Sequence, residues 1–190
     1  MPIEDTVRWN DRYKEAPDKW RSSPRSFLMD NIELLPRTGR ALDIAMGPGC
    51  NSGELLKHGL DVYGVDISSE AVFLAKAAFP DIKAVIGDMT RFYLPNHYFD
   101  VILNFYYLQR DLWPEFQRIL KPGGYIIIET LTQMARSERP DISPKFLLWE
   151  GELAKAFKDW DILIYREGTF QSDHGFEKSI ASLIARLPIE

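Results

Sequence analysis

Five short apolar, β-branched runs, separated by helix start and stop signals, restrict this chain to an alternating strand–helix architecture. The runs cover residues 40–45, 62–66, 82–86, 99–105 and 125–131. The first three are mostly apolar on both faces, as a buried parallel strand should be. Residues 52–58 follow a glycine-rich turn and stop at Gly59, a natural C-terminal cap. Ser68 can cap a helix over residues 69–79, which Pro80 ends. Pro114 starts a helix with Phe116, Ile119 and Leu120 on one face, closed by Pro122-Gly123-Gly124. Such alternation requires right-handed crossovers and a parallel sheet covered on both faces. Two later strand candidates, residues 161–167 and 178–186, read as an antiparallel hairpin at one edge.

A length of 190 residues suits one domain. Within it, residues 1–39 are expected to form a helical cap, with Leu28, Ile32 and Leu35 at helical spacing. Residues 40–131 should form the ligand-binding core, and 132–190 a substrate-side loop, helix and closing hairpin. The polar stretch 132–144 is long for a connection, and long loops in compact domains are often lids. Hydrophobic residues at 45% and charged residues at 27% exclude a disordered or collagen-like chain. The lone cysteine, Cys50, allows no intrachain disulfide, which points to an intracellular setting. A net charge of −5 with no Lys/Arg run argues against duplex nucleic acid as a partner. The N-terminus carries Glu4 and Asp5 where a signal peptide has base and an apolar stretch, and no apolar run is long enough to cross a bilayer. The expectation is a cytoplasmic monomer or homodimer acting on a small molecule, with neither nucleic acid nor membrane as partner.

The strongest local signal is Ala41-Leu42-Asp43-Ile44-Ala45-Met46-Gly47-Pro48-Gly49-Cys50-Asn51: a strand, a glycine turn, then a helix start. Glycines let a ligand approach the backbone, and the helix offers unsatisfied N–H groups and a positive dipole end. On its own a Gly-x-Gly fits a plain turn equally well. Two acids add weight. Asp66 ends the second strand, 19 positions after Gly47, near the spacing at which an acid reaches ribose hydroxyls in a doubly wound sheet. Asp88 follows the third strand, 22 positions after Asp66. Three successive strands thus bring a glycine loop or an acid to their C-terminal ends, where ligands bind in open α/β sheets. The plainer reading makes both aspartates caps of the following loops. A dinucleotide is disfavoured, because Ser52 holds the place of a third glycine. Asp43, four residues before Gly47, would repel a pyrophosphate and welcome a ligand with ammonium and sulfonium groups.

These residues resemble the motifs of class I S-adenosylmethionine (SAM) dependent methyltransferases. The resemblance covers residues 43–124: the Asp-Ile-Ala-Met-Gly-Pro-Gly loop, Gly64-Val65-Asp66-Ile67-Ser68, Gly87-Asp88-Met89, Phe99-Asp100-Val101-Ile102 and Leu120-Lys121-Pro122-Gly123-Gly124. More narrowly, Trp9-Asn10-Asp11-Arg12-Tyr13 and Ser143-Pro144-Lys145-Phe146-Leu147-Leu148, leading to Gly151-Glu152-Leu153, are similar to the tellurite-resistance-like small-molecule methyltransferases. Ala45 departs from the general family, which has glycine there; the narrower branch often has alanine. The resemblance implies an α/β, Rossmann-like doubly wound sheet of seven strands in the order 3-2-1-4-5-7-6, mostly parallel with an antiparallel C-terminal hairpin. It implies SAM as cofactor, S-adenosylhomocysteine (SAH) as product, and no metal. Asp66 would bind the ribose hydroxyls, with Ile67 beside the adenine. Asp88 would accept from the adenine amino group, and Met89 would cover the ring. Ala45, Gly47 and Gly49 would form the loop under the methionine portion, with Asp43 and Asn104 near its ammonium.

Trp9, Arg12 and Tyr13 share a helical face. They form either a lid, with Arg12 near the methionine carboxylate, or an aromatic face packed on the sheet. Tyr106, Tyr107 and Arg110 follow the fourth strand, where the methyl group should face. Tyr106 is the candidate for holding the acceptor, Arg110 the fixed cation for an anionic one, and Tyr107 is assigned to core packing with a satisfied hydroxyl. Asn104-Phe105-Tyr106-Tyr107 lacks both prolines of the amino-methyltransferase signature, which disfavours nucleobase methylation. Cys50 reads as a small loop residue. His58, His97 and His174 have no metal-ligand spacing; His58 complements a helix dipole, and His174 reads as a solvated loop residue. The function expected is methyl transfer from SAM to a small acceptor, aligned by proximity and orientation. With no Asp–His or Lys base in view, a thiol, chalcogen oxyanion or halide is favoured. The rivals are a non-catalytic SAM/SAH-binding module and an NAD-linked oxidoreductase, the latter disfavoured by Asp43 and Ser52.

Overall fold

The computed structural model describes residues 3–15, 23–137, 139–171 and 177–189. The helices are α1 (Ile3–Glu15), α2 (Ser26–Met29), α3 (Cys50–His58), α4 (Ser69–Ala78), α5 (Trp113–Ile119) and α6 (Glu152–Ala156). The strands are β1 (Arg40–Ile44), β2 (Asp61–Asp66), β3 (Lys83–Ile86), β4 (Phe99–Phe105), β5 (Leu120–Leu131), β6 (Asp161–Gln171) and β7 (Glu177–Arg186). They form one sheet in the order β3-β2-β1-β4-β5-β7-β6. The first five strands run parallel, and β7 is antiparallel to both β5 and β6. The expected architecture is therefore the one observed. Strand order reverses between β1 and β4, and this switch point places the site.

Alternation along the strands builds a core on each face. Leu42 and Ile102 join Phe116, Ile126 and Leu183 on one side. Ala41, Val101 and Leu103 join Phe27, Leu55 and Ile127 on the other. Local punctuation acts as read. The Ser68 hydroxyl accepts from the Ala71 amide at the start of α4. Gly59, at φ +110°, ends α3 with bonds back to its last turn.

Four local expectations are corrected. The strand β3 is not buried: it lies at the sheet edge, pairs with β2 alone among the described residues, and leaves Val85 and Ile86 exposed. The cap does not form one continuous helix over 28–35; it breaks into the single turn α2 and a 3-10 turn over Ile32–Leu34, with Leu28 and Leu35 still buried. Pro122-Gly123-Gly124 does not close α5, which ends at Ile119. It lies within β5, where the β4–β5 register shifts between Phe99 and Val101 and Gly123 takes φ +77°. Finally, residues 132–144 are not an open loop. A 3-10 helix spans Gln133–Ser137, and the Leu148 and Gln133 amides exchange bonds with the Leu131 and Leu148 carbonyls. His174 lies outside the described residues.

Candidate active site

The loop after β1 is shaped by backbone that few residues tolerate. Ala45 sits at φ +54°, Gly47 at +57° and Gly49 at +78°. Gly47 approaches another element closely: a Cβ there would stand 3.0 Å from the Tyr13 hydroxyl. A Cβ at Gly49 would stand 3.0 Å from both Ala75 and Ile82, so this glycine lets α3 pack against α4 and the start of β3 rather than facing the cleft. The Gly47 amide donates to Asp66 Oδ2 at 2.8 Å, and the Ser68 amide donates to Oδ1 at 2.8 Å. Burial raises the Asp66 carboxyl above its ordinary value while these backbone bonds oppose the rise.

Asp43 lies beneath the loop, fully buried, accepting the Ser52 hydroxyl at 2.6 Å. Burial pushes its carboxyl up to about 7, with the Ser52 bond lowering it and the nearby Asp66 charge raising it. Ser52 is thus a partner of Asp43, which is why serine stands where a dinucleotide loop has glycine.

A cleft opens at the C-terminal ends of β1, β2 and β4. Ala45, Met46, Gly47, Pro48, Cys50 and Asn51 form its floor, and Val65, Asp66, Ile67, Gly87 and Met89 one wall. Trp9 and Tyr13 from α1 and Ser23 and Arg25 from the segment before α2 line it, and Phe105, Tyr106 and Tyr107 form its far end. Helix α1 is clasped at the N-terminus of α4, where the Ser68 hydroxyl donates to Asn10 Oδ1 at 2.7 Å. Tyr13 is buried, and burial together with Asp66 raises its phenol. Tyr106 takes φ +56°, and its amide donates to the Glu129 carbonyl at 2.8 Å.

A methyltransferase-domain family model matches residues 42–128, the stretch that carries the loop, Asp66 and the Phe105–Tyr107 end of the cleft. The match is to a methyltransferase domain and covers just under half of this chain. Among curated relatives, demethylmenaquinone methyltransferase of Renibacterium salmoninarum is 30% identical over 109 residues, 55% of this chain and 46% of that protein. The chain therefore spans about half the length of that relative. A SAM-dependent methyltransferase of Methanosarcina mazei superposes with a TM-score of 0.71 at 20% identity, covering 88% of this chain and 100% of the other. TehB of Haemophilus influenzae superposes with a TM-score of 0.72 at 19% identity, covering 94% of this chain and 67% of TehB. At such identities the two structures share the fold.

Of the candidate site residues in the sequence, the cleft gathers Trp9, Tyr13, Ala45, Gly47, Asp66, Ile67, Met89 and Tyr106. Six others, Arg110 among them, fall outside its lining. Gly49 faces Ala75 and Ile82, and Asp43 lies under the loop. Arg12 is exposed, its guanidinium 5.1 Å from the Trp9 ring centre. The Asp88 carboxylate accepts from the Thr90 amide and hydroxyl, at 3.0 and 2.7 Å, while its neighbours Gly87 and Met89 line the wall. Asn104 is buried beside Ile44, and its Oδ1 has no hydrogen-bond partner.

Arg110 is elsewhere. It donates to both Glu152 oxygens, at 2.5 and 2.8 Å, and to the Lys145 and Leu147 carbonyls, at 2.8 and 3.0 Å. The 3-10 turn that follows Gln109 carries it away from the cleft, so it braces residues 145–152. Among the described residues, none of 132–144 lines the cleft, so the described part of that segment does not roof it. Tyr107 packs against the core as expected, but it also lines the cleft, and its hydroxyl is buried with no partner. Arg25 and Asn51 were not singled out. The Arg25 amide donates to Asn51 Oδ1 at 2.9 Å, a contact across 26 positions that no local signal reveals. Burial pushes the Cys50 thiol up, which keeps it protonated and a poor nucleophile.

Proposed function

We propose that this chain transfers a methyl group from SAM to a small-molecule acceptor. Asp66 carries the reading. An ionised carboxylate has about four acceptor positions. The Gly47 and Ser68 amides take two, and the Ile67 amide also acts on the carboxylate, leaving acceptor capacity toward a vicinal diol such as a ribose. The unpartnered Asn104 Oδ1 and Tyr107 hydroxyl fit a ligand bearing an ammonium and polar ring atoms. Ile67 and Met89 supply apolar walls for an adenine, with Asp88 beside them, and Trp9 and Tyr13 cover the cleft from α1. The buried Asp43 under the loop disfavours a pyrophosphate and hence the NAD reading.

When bound, SAM supplies an activated methyl group on a sulfonium. The protein's part is to hold the cofactor against Asp66, exclude water with Trp9 and Tyr13, and hold an acceptor at Tyr106 in line with the methyl group. No metal is required for this chemistry. We take the acceptor to be a small soft nucleophile, a thiol or a chalcogen compound, on the resemblance to the tellurite-resistance-like branch. The relative from Renibacterium salmoninarum is named for a quinone acceptor, which makes an aromatic hydroxyl compound the second class to assay.

Calorimetric titration with SAM, SAH and NAD tests the cofactor, and methyl release across thiols, phenols, selenite and iodide tests the transfer. SAM and SAH binding with turnover is expected. NAD binding without SAM binding overturns the reading, and SAM binding without turnover of any acceptor points to a binding module. In a thermal-shift version, a ligand at 100 times its Kd adds about 2.7 kcal/mol.

A further inference from the structure

Glu129 belongs to no motif, yet it is a buried carboxylate next to the cleft. It sits on β5 in register with Phe105 of β4 and Ser182 of β7, and is 4% exposed. Its Oε1 accepts the Tyr106 hydroxyl at 3.1 Å. Its Oε2 accepts the Ser182 hydroxyl at 2.8 Å and the Arg166 guanidinium at 3.3 Å. The Glu129 carbonyl also holds the Tyr106 amide at 2.8 Å, in the left-handed conformation that places this tyrosine at the cleft. One residue therefore fixes both the backbone and the hydroxyl of Tyr106.

An ionised carboxylate only accepts, and a phenol has one proton and two lone pairs. With its proton directed to Glu129, the Tyr106 oxygen can only accept from any third group. A ligand atom held there must bring its own proton.

We propose that Glu129 is a positioning residue and proton sink acting through Tyr106, and that the acceptor of this methyltransferase is protic, a neutral thiol or hydroxyl rather than an oxyanion or halide. The proposal rests on the methyl-transfer reading above. In the reaction, the acceptor atom bonds the methyl carbon with its own electron pair while the carbon–sulfur bond breaks, its electrons staying on sulfur. The acceptor's proton passes to the Tyr106 oxygen as the Tyr106 proton passes to Glu129 Oε1. The carboxylate ends protonated and returns its proton to solvent after product release. The base is thus displaced one side chain from the reacting atom.

Three cations among the described residues face the pair. Arg25 and Lys178 lie over the Tyr106 ring at 4.6 and 4.9 Å, and Arg166 faces Glu129 from β6. Removing the Glu129 charge leaves the phenol among cations, so its ionisation should become easier.

The first readout needs no acceptor. Ultraviolet titration of wild type against Tyr106→Phe isolates the Tyr106 phenol, and the same difference is taken in a Glu129→Gln background. The Tyr106 midpoint is expected to fall by one pH unit or more in Glu129→Gln; an unchanged midpoint overturns the coupling. The second readout is SAH release with 2-mercaptoethanol, catechol, selenite and iodide as probes. At pH 7, Glu129→Gln should lose tenfold or more in kcat with the protic probes, with SAM affinity within twofold of wild type. The loss should shrink as pH passes the probe's own pKa, and Glu129→Asp should restore part of it. A loss equal at all pH values, or wild-type turnover of selenite or iodide alone, overturns this inference and leaves methyl transfer standing. A wild-type protein that binds no SAM overturns both. If SAM binds and no probe turns over, the phenol titration decides.

Discussion

The Gly47 amide and Asp66 Oδ2 are 2.8 Å apart, so the loop after β1 and the end of β2 are tied by one hydrogen bond. Asp66 therefore braces the loop, and in the proposed reading it also presents acceptor positions to a diol. Asp66→Ala is expected to weaken SAM binding by roughly 2–3 kcal/mol, from two lost charge-assisted bonds. Isothermal titration checks this; an unchanged Kd removes Asp66 from the site.

Asn10 ties α1 to the Ser68 hydroxyl at the start of α4. Asn10→Ala should release the helix that brings Trp9 and Tyr13 to the cleft, weakening SAM binding by about 1 kcal/mol. The fold should persist, because the sheet and both cores lie outside α1. Circular dichroism with calorimetry reads both effects. Unchanged affinity would make α1 packing only.

Asp43 carries a stability cost that depends on pH. Its folded-state value is about 7 and its ordinary value 3.8. Between them the folded protein holds a proton that the unfolded chain has lost, so this group makes stability fall as pH rises from about 4 to 7. Above pH 7 both states are ionised and the full cost, on the order of 4 kcal/mol, is present. Asp43→Asn keeps an acceptor for Ser52 without the charge. The variant-minus-wild-type difference in Tm should be small near pH 4 and positive at pH 8; a negative difference at pH 8 would show that the charge is compensated.

The buried, unpartnered Tyr107 hydroxyl costs the unliganded protein stability. Tyr107→Phe should raise unliganded stability by about 1 kcal/mol in urea titration and weaken SAM binding. Equal SAM affinity in the variant would show that the hydroxyl does not meet the cofactor.

Arg110→Ala should act on stability, not on substrate. Losing the paired bonds to Glu152 and the two carbonyl contacts should cost about 1–3 kcal/mol. SAM affinity and the Michaelis constant for an anionic acceptor should stay near wild type. A selective rise in that constant would return Arg110 to the acceptor site.

Periodicity and punctuation determined the positions of the strands and the loop of this protein, because parallel strands buried on both faces leave continuous apolar runs; the strand order was legible only through the family resemblance. The spacing from Gly47 to Asp66 is set by one helix and one strand, so chain distance predicts spatial distance there. Tertiary structure decided the rest. Val85 and Ile86 read as buried, but only the sheet shows that β3 has one neighbour. Arg110 lies at the right place along the chain, and a 3-10 turn with the Glu152 pair takes it away. Arg25 and Asn51, and Tyr106 and Glu129, meet across 26 and 23 positions. Contacts of that range join side chains from different elements, and no local pattern encodes them. Secondary structure and the glycine loop follow from short-range preferences, whereas the Tyr106 end of the cleft exists only once β4, β5 and β7 are paired.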